Sequence, residues 1–227
     1  MLLSDDEIAR YSRQLLLPGM GVVTQEFLRA ARVQVVGGGA VAGPAMLYLA
    51  QAGVGILLLD DAAEVAPEDG AGWVYPPDRT GQPRVTAAIE SLKAATRWVR
   101  PRIHATGAEP TAALICGGGA LAREGAERAR RAGIPHVVAE ADGEGGAVIS
   151  VPPGAPCYAC AFRIGTGVPA PAPVAAAIGA LAATELLLLA GGVLQPPQGR
   201  RIDLVRGHPR TSATVRQPGC ACATRAA

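Results

Sequence analysis

Four cysteines in the C-terminal third of the sequence have the residue type and spacing of a metal site. They form two short pairs, Cys157 with Cys160 and Cys220 with Cys222. Tetrahedral zinc commonly takes four thiolates from two such pairs in separate chain segments. In a reducing compartment, clustered cysteines indicate a metal before a disulfide. We therefore expect a structural zinc ion that fastens the C-terminal tail to the fold, with reduced or disulfide-bonded cysteines as the alternative.

A second group of residues has the pattern of a nucleotide site. An apolar run at residues 33–36 leads directly into Gly37 and Gly39, and an Ala- and Leu-rich segment containing Gly43 follows. A strand that enters glycines at the mouth of a helix presents backbone N–H groups and a positive helix end to a phosphate. The third glycine of the G-x-G-x-x-G fingerprint is replaced by Ala42, a variant that the fingerprint tolerates.

Two carboxylates follow the next apolar run. Residues 56–59 are typical of a buried strand, and Asp60 and Asp61 come directly after it. Asp60 lies about 20 residues beyond the glycines, where a carboxylate can accept hydrogen bonds from ribose hydroxyls. We assign both aspartates to the predicted cofactor site. The pattern does not separate NAD from ATP, and a tight turn that binds nothing, with Asp60 merely solvated, remains the alternative.

Alternating strand and helix patterns position these residues. Ser4 and Glu7 form the sequence pattern of a capping box, which opens a first helix. Apolar runs and helical periodicities then alternate, which predicts an α/β fold with a Rossmann-like, mostly parallel sheet and helices on both faces. The strands are predicted at residues 33–36, 56–59, 112–116, 135–139, 147–151, 202–205 and 212–215, and the main helices at 41–52, 85–100, 121–131 and 174–193.

The length and composition fit one domain. With 227 residues and 49% hydrophobic content, the chain is long enough to bury a full core. We predict a single domain over residues 1–227, divided into N-terminal helices at 1–31, a Rossmann-like core at 32–145 and a part with a zinc-stapled extension at 146–227. The formal net charge of +2 comes from mixed signs along the chain, so neither a nucleic acid nor a membrane surface is an expected partner.

Two segments bear on localisation. The first seven residues carry three acidic side chains and have no basic region followed by an apolar run, so we expect no secretion signal and a cytoplasmic location. Residues 174–193 are long and apolar enough to resemble a membrane span, but they contain Glu185. A carboxylate in a span costs roughly 2.5 to 3 kcal/mol, which favours a buried helix in a soluble fold.

Several motifs occur in the order typical of one family. They are RYSRQLLLP at residues 10–18, YLAQAGVG at 48–55, GQPRV at 81–85 and CYAC at 157–160. This order resembles the ThiF/MoeB/HesA family of ubiquitin-like-protein-activating enzymes. The resemblance implies a homodimer that binds ATP and Mg²⁺ and adenylates the C-terminal glycine of a ubiquitin-like sulfur-carrier protein. It also implies that Arg13 reaches the nucleotide of the partner subunit.

The resemblance further implies which positions handle the nucleotide phosphates, and several of them differ here. The family's S-N-L-x-R-Q loop falls on residues 67–72, so that Glu68 replaces the Asn and Ala71 replaces the Arg. The magnesium-binding Asp of D-C-x-D-N corresponds to Gly118. The phosphate-facing Lys is Arg84, a change that keeps the charge but not the shape. Each lost transition-state contact typically costs about 3 kcal/mol, so we expect severely reduced turnover.

Three hypotheses about function remain at this point. The first is a working adenylyltransferase, in which Asp61, Asp69 or Asp78 supplies a metal ligand. The second is a degenerate relative that keeps the fold and the dimer as a binding or scaffold protein. The third is an NAD-linked Rossmann oxidoreductase, against which the four cysteines count. Since the family has C-x-x-C where this chain has a second pair spaced C-x-C, His208 is a further candidate metal ligand.

Overall fold

An eight-stranded sheet forms the centre of the described chain in a computed structural model, which describes residues 3–71, 74–105, 107–161, 168–193 and 199–222. The helices are α1 (Asp5–Leu15), α2 (Val22–Ala30), α3 (Ala42–Gln51), α4 (Arg84–Ala95), α5 (Gly119–Arg131), α6 (Tyr158–Ala161) and α7 (Ala172–Ala190). The strands are β1 (Arg32–Val36), β2 (Ile56–Asp60), β3 (Arg100–Ile103), β4 (Ala112–Cys116), β5 (His136–Asp142), β6 (Gly145–Val151), β7 (Arg200–Val205) and β8 (His208–Ala213).

The strand order explains where a ligand can bind. The order is β3-β2-β1-β4-β5-β6-β7-β8, with the first five strands parallel and the last three joined by antiparallel pairing. The chain first builds outward from β1 to β3 and then crosses to β4 on the other side of β1. In such open sheets, ligands bind beyond the carboxyl ends of the strands at this point of reversal. The predicted mostly parallel, Rossmann-like sheet is therefore present.

Helices cover both faces of the sheet, as predicted. On one face, α3, α4 and α7 bury a large apolar cluster that includes Leu49, Leu92 and Leu186. On the other face, α5 and α6 pack against a smaller cluster around Ile115 and Ile149. Burial of β4 on both faces accounts for its uninterrupted apolar sequence, since alternate side chains enter opposite clusters.

One predicted helix is too long. The periodicity over residues 85–100 predicts a single helix, but α4 ends at Ala95 and the chain then forms β3 from Arg100 to Ile103. The strand was missed because Pro101 argues against a central strand. Its position resolves the conflict, since β3 pairs only with β2 among the described strands and lies at the edge, where a proline is tolerated.

The long apolar helix is anchored to the sheet by its one carboxylate. By length and composition alone, α7 could cross a membrane, although such a criterion also selects core helices of soluble proteins. In the fold, α7 packs against α3, β4, β5 and β6. Glu185 is 3% exposed and accepts hydrogen bonds from Ser150 Oγ at 2.6 Å and from Arg200 Nε at 3.0 Å. These partners compensate for the burial of a charge inside an apolar helix.

Candidate functional site

The glycine turn after β1 joins the ends of three parallel strands. Gly37 has a φ of +83°, and a Cβ atom there would lie 2.4 Å from the carbonyl oxygen of Cys116 at the end of β4. The Gly37 N–H donates to the carbonyl of Asp60 at 3.0 Å. The Gly39 carbonyl accepts from the N–H of Gly43 at 3.2 Å, which begins α3. Only glycine is compatible with position 37, because both its conformation and its surroundings exclude a side chain.

A large open cavity begins at this turn. Its volume is about 1320 Å³, and its lining runs from Gly39 past the Cys116–Gly119 segment to Ser212 on β8. This exceeds the roughly 300–1,000 Å³ of a typical small-molecule pocket, so there is space for more than one substrate group. Among the described lining residues, six are acidic and two are arginines: Glu68, Asp69, Glu140, Asp142, Glu144 and Asp203 against Arg201 and Arg210. One of these arginines, Arg201, already pairs with Asp203.

The two predicted aspartates after β2 have different surroundings. The Asp60 side chain is 40% exposed and accepts a hydrogen bond from Gln34 Nε2 at 2.8 Å, while Arg128 lies 3.7 Å away. Asp61 is 12% exposed and accepts the N–H of Ala63 at 2.7 Å through Oδ1. Its other oxygen faces Arg84. Asp60 thus keeps an accessible carboxylate beside the turn, whereas Asp61 belongs to an internal ion network.

Arg84 is the centre of that network. Its Nε and one terminal nitrogen each lie 2.7 Å from Asp69 Oδ2, and its other terminal nitrogen lies 3.4 Å from Asp61 Oδ2. Asp69 is 2% exposed and also accepts the N–H of Ala66 at 2.9 Å. Burial alone lowers the pKa of Arg84, but the hydrogen bond and charge of Asp69, reinforced by Asp61, raise it overall. All three guanidinium nitrogens therefore face a carboxylate.

Two residues that the sequence did not single out shape this network. Tyr75 is 1% exposed, and burial raises its pKa, so its hydroxyl stays neutral. Gly38 lies against the network: a Cβ atom there would come within 2.5 Å of Asp61 Oδ2 and 2.8 Å of Tyr75 Oη. The middle glycine is therefore required by close approach of these side chains. The turn is part of the ion network as well as of the cavity wall.

A carboxylate also lies beside Gly118, where the resemblance implies a lost aspartate. Oε2 of Glu140 is 3.5 Å from the position that a Cβ atom would take at Gly118. The hydroxyl of Tyr158 donates to Oε1 of Glu140. Burial raises the pKa of Glu140, and the Tyr158 hydrogen bond opposes that shift. Sequence reasoning missed Glu140 because it comes from β5, and only the strand order places it next to the loop after β4.

The remaining predicted phosphate-site residues are dispersed. Arg13 is exposed on α1 and is not part of the described cavity lining. Glu68 is exposed and lines the cavity. Asp78 is 76% exposed and pairs weakly with Arg79 at 3.8 Å. The Ala71 backbone ends a short 3-10 helix, Pro67–Ala71, while residue 72 of the aligned loop lies outside the described residues.

The four clustered cysteines converge as predicted. Their sulfur atoms all lie within 4.8 Å of one another, with Cys157 Sγ 3.9 Å from Cys160 Sγ and 3.5 Å from Cys220 Sγ. Cys160 and Cys222 are also 3.5 Å apart. A tetrahedron with metal–sulfur bonds of about 2.3 Å has sulfur–sulfur edges of about 3.8 Å, so the arrangement fits a zinc ion. The C-x-C spacing brings both sulfurs to the cluster, and His208 is not a member of this group of described residues.

Cys116 ends β4 beside the glycine turn but does not have the environment of a nucleophile. It is 7% exposed, and burial raises the pKa of its thiol to about 12. A thiol with such a pKa remains protonated near neutral pH. Cys116 is therefore a small core residue.

Comparison with known proteins agrees with this geometry. The ThiF family model matches residues 11–115. Molybdopterin-synthase adenylyltransferase of Escherichia coli strain K12 is 32% identical over 248 aligned residues, which cover 96% of this chain and 97% of that protein. The chain belongs to the ThiF/MoeB/HesA family. The protein HesA, heterocyst, of Trichormus variabilis is 43% identical over 93 residues, which cover 40% of this chain.

Some relatives in this family are much longer than the segment they share with the chain. The probable adenylyltransferase/sulfurtransferase MoeZ of Mycobacterium tuberculosis is 36% identical over 114 residues, but the match spans 29% of its length, and the match to HesA spans 35%. A crystal structure of E. coli MccB with SeMet MccA has a TM-score of 0.79, covering 98% of this chain and 75% of that one at 19% identity. This likeness establishes the fold alone.

Proposed function

We propose that this ThiF-family chain is an adenylyltransferase that activates the C-terminus of a ubiquitin-like sulfur-carrier protein with ATP. The observation that carries the proposal is the cavity that runs continuously from the glycine turn at Gly39 to Ser212 on β8. Full-length similarity to a molybdopterin-synthase adenylyltransferase supports the same activity.

The nucleoside half of ATP fits the groups near the turn. Gly37 and Gly39 bring backbone close to the mouth of α3, where a phosphate is favoured by the helix end. Asp60 keeps an accessible carboxylate that would accept hydrogen bonds from the ribose. When bound, ATP supplies the adenylyl group, and Mg²⁺ neutralises charge on its phosphates. Glu140, which lies beside Gly118 in the cavity lining, would hold that ion.

The other half of the cavity suits an extended chain end. Its lining there includes Gly145 and Gly146, so the wall has no side chains at these two positions. A terminus that ends in glycines would pass between such walls with its own backbone groups available for hydrogen bonds. Its carboxylate would reach the glycine turn in line with a bound α-phosphate, where adenylation needs it.

The proposed assembly is an intracellular homodimer with a zinc-stapled tail. Arg13 is exposed on α1, which leaves it available to reach the nucleotide of a second copy. Zinc bound by Cys157, Cys160, Cys220 and Cys222 would tie the segment after β8 to the segment after β6. That ion has a structural role in this proposal, because four thiolates leave no coordination position open for a substrate.

A second candidate function is a binding protein that has lost turnover. The observation that favours it is the pairing of Arg84 with both Asp61 and Asp69. The two carboxylates compensate the charge of the guanidinium, so Arg84 offers no net positive charge to a phosphate. Gly118 has no carboxylate of its own, and Ala71 has no cation. Such a protein would keep the fold and the dimer, and would bind a carrier without adenylating it.

Titration with ATP and Mg²⁺, followed by ATP–pyrophosphate exchange with a Gly-Gly-ended carrier, separates the two functions. An adenylyltransferase gives carrier-dependent exchange, and a carrier that lacks its last glycine serves as the control. Dimerisation without ATP binding or exchange would contradict the enzyme and support the binding protein. Exchange at rates ordinary for an enzyme, about 1 s⁻¹ or more, would contradict the binding protein.

A further inference from the structure

Arg84, whose Cδ lies 3.1 Å from the Cβ position of Gly38, is already paired with two carboxylates. Arg84 carries one positive charge, and the two carboxylates around it carry two negative charges. Nε and one terminal nitrogen of the guanidinium point at a single oxygen of Asp69. A guanidinium binds carboxylates and phosphates with the same donor groups, so Asp69 uses the donors that a phosphate would use.

The Asp69 carboxylate is also located at the turn itself. Its Oδ1 lies 3.8 Å from the Cβ position of Gly39, the residue whose carbonyl accepts the first hydrogen bonds of α3. Asp69 lines the cavity, while Asp61 and Arg84 are not among its described lining residues. The carboxylate therefore lies between the cavity and the cation, close to the positive end of a helix. A phosphate entering at Gly39 meets a negative charge first.

We propose that Asp69 is a built-in anion mimic, which occupies the phosphate position between the glycine turn and Arg84 and must be displaced before a nucleotide phosphate binds there. This inference rests on the proposed nucleotide site. When a phosphate displaces Asp69, Arg84 exchanges its carboxylate partner for the phosphate. The Asp69 carboxylate then moves from its buried position into the cavity. The charge of the guanidinium is compensated in both states.

Among the described residues, the hydrogen bonds of the segment that carries Asp69 are local, apart from the ion pair with Arg84. It is the five-residue 3-10 helix Pro67–Ala71, in which the Asp69 N–H donates to the Ala66 carbonyl at 3.0 Å and Asp69 Oδ2 accepts the Ala66 N–H at 2.9 Å. The adjacent Glu68 is exposed. Displacement of Asp69 therefore disrupts one short turn and its bond to Arg84, and leaves the sheet intact.

The test is the affinity for inorganic pyrophosphate, measured by isothermal titration calorimetry on the full chain. The Asp69→Asn variant keeps the size of the side chain and removes its charge. We expect at least about tenfold tighter binding than in the wild type, because a repelling charge is removed and a cation is released. Adding Arg84→Gln to Asp69→Asn should abolish the gain.

Glu64→Gln is the control, since it removes the same charge from an exposed residue outside the described cavity lining without freeing Arg84. We expect the pyrophosphate affinity of Glu64→Gln to stay within about twofold of the wild type, as for an exposed charge. An equal gain in affinity in Glu64→Gln and Asp69→Asn would overturn the proposal, because the effect would then be general electrostatics. An Asp69→Asn variant that binds pyrophosphate no more tightly than the wild type would also overturn it.

Two further measurements apply if Asp69→Asn fails to fold. Asp61→Asn leaves the Asp69 segment intact and removes the second carboxylate from Arg84. We therefore expect a smaller gain in pyrophosphate affinity than in Asp69→Asn. In the wild type, millimolar pyrophosphate should speed hydrogen exchange at the Ala66 and Asp69 amides. An Asp61→Asn variant with no gain in pyrophosphate affinity would contradict the mimic. Binding of pyrophosphate without faster hydrogen exchange at the Ala66 and Asp69 amides would also contradict it.

The outcomes also distinguish this inference from the proposed enzyme. A gain in pyrophosphate affinity without carrier-dependent exchange would leave the mimic standing and refute the adenylyltransferase. Carrier-dependent ATP–pyrophosphate exchange in the wild type, together with no gain in pyrophosphate affinity in Asp69→Asn, would support the adenylyltransferase and refute the mimic.

Discussion

Oε2 of Glu140 lies 3.5 Å from the point where a side chain would begin at Gly118. The end of β5 thus delivers a carboxylate to a loop that has none of its own at that position. The arrangement changes the interpretation of the sequence, in which Gly118 indicates a lost magnesium ligand. A carboxylate is present in the same region of space, held by the Tyr158 hydroxyl at its other oxygen.

The first prediction concerns this carboxylate. If Glu140 holds Mg²⁺ beside a bound nucleotide, Glu140→Gln should reduce the strengthening of ATP binding by Mg²⁺ at least about tenfold. Isothermal titration with and without Mg²⁺ measures this ratio. Gly118→Asp in the Glu140→Gln background should restore it, since Gly118 has a φ of −112° that any residue adopts.

Tyr158→Phe provides the control, because it removes a donor to Glu140 but keeps the carboxylate. Its effect on the Mg²⁺ ratio should be clearly smaller than that of Glu140→Gln. An unchanged ratio in Glu140→Gln would show that the ion, if bound, uses other groups.

The second prediction concerns the middle glycine of the turn. Gly38→Ala would place a Cβ atom 2.5 Å from Asp61 Oδ2 and 2.8 Å from Tyr75 Oη. Tyr75 is fully buried and Asp61 is fixed by the Ala63 N–H, so neither moves without loss. We expect a decrease of about 1–3 kcal/mol in the free energy of unfolding, as for other overpacked sites.

Urea denaturation measures this decrease, and Gly118→Ala is the matched control in the same region. Its Cβ atom would meet nothing closer than 3.5 Å, so a change within about 0.5 kcal/mol is expected. Equal stabilities of the two variants would refute the crowding at Gly38.

Much of the fold follows from the sequence because its signals are local. The apolar runs predicted β1, β2 and β4 to within one residue, and the glycines predicted the turn. The missed features depend on position in the sheet. β3 is a strand only because an edge tolerates Pro101, and Glu140 reaches Gly118 only because β5 lies next to β4.

The ion network shows the same limit for the site. The sequence suggested Asp61 and Asp69 as substitute metal ligands, but a count along the chain does not reveal that both face Arg84. Pairing with a cation changes their role from free ligands to internal partners. Residues 67–71 form a separate short 3-10 helix, and its path sets which side chain enters the turn.

The third prediction is a dependence of stability on pH. His136 begins β5 with 1% exposure, and burial lowers its pKa from 6.5 to about 4. Within the described chain its Nε2 has no hydrogen-bond partner, while its Nδ1 lies 3.2 Å from the carbonyl oxygen of Ile134. As the pH falls below about 6.5, the unfolded state binds a proton that the folded state does not bind until about pH 4.

Stability should therefore fall with decreasing pH over this window, by up to about 3 kcal/mol from this group. Urea denaturation at pH 7 and pH 4.5, measured on the wild type and on His136→Gln, separates the contribution of His136 from that of other acid-sensitive groups. His208→Gln, at an exposed position, is the control and should keep the wild-type slope. If His136→Gln showed the same dependence of stability on pH as the wild type, His136 would not be the group responsible.

The fourth prediction concerns metal content. If the four sulfurs bind zinc, the purified chain should contain about one zinc ion per chain by plasma mass spectrometry, and Cys157→Ser should lose it. Cys116→Ala is the control, because Cys116 is buried at the end of β4 and outside the cluster. Prolonged dialysis against a strong chelator should lower the thermal midpoint of the wild type and leave that of Cys157→Ser unchanged. A wild-type chain free of metal would refute the zinc site.

The sulfur cluster has a consequence for how the chain assembles. Cys157 and Cys160 follow β6, whereas Cys220 and Cys222 follow β8, and the two segments meet because β6, β7 and β8 pair in register. Pairing of these strands therefore holds the two cysteine segments together. A metal bound by the quartet would in turn link the two ends of the chain segment that contains α7, β7 and β8.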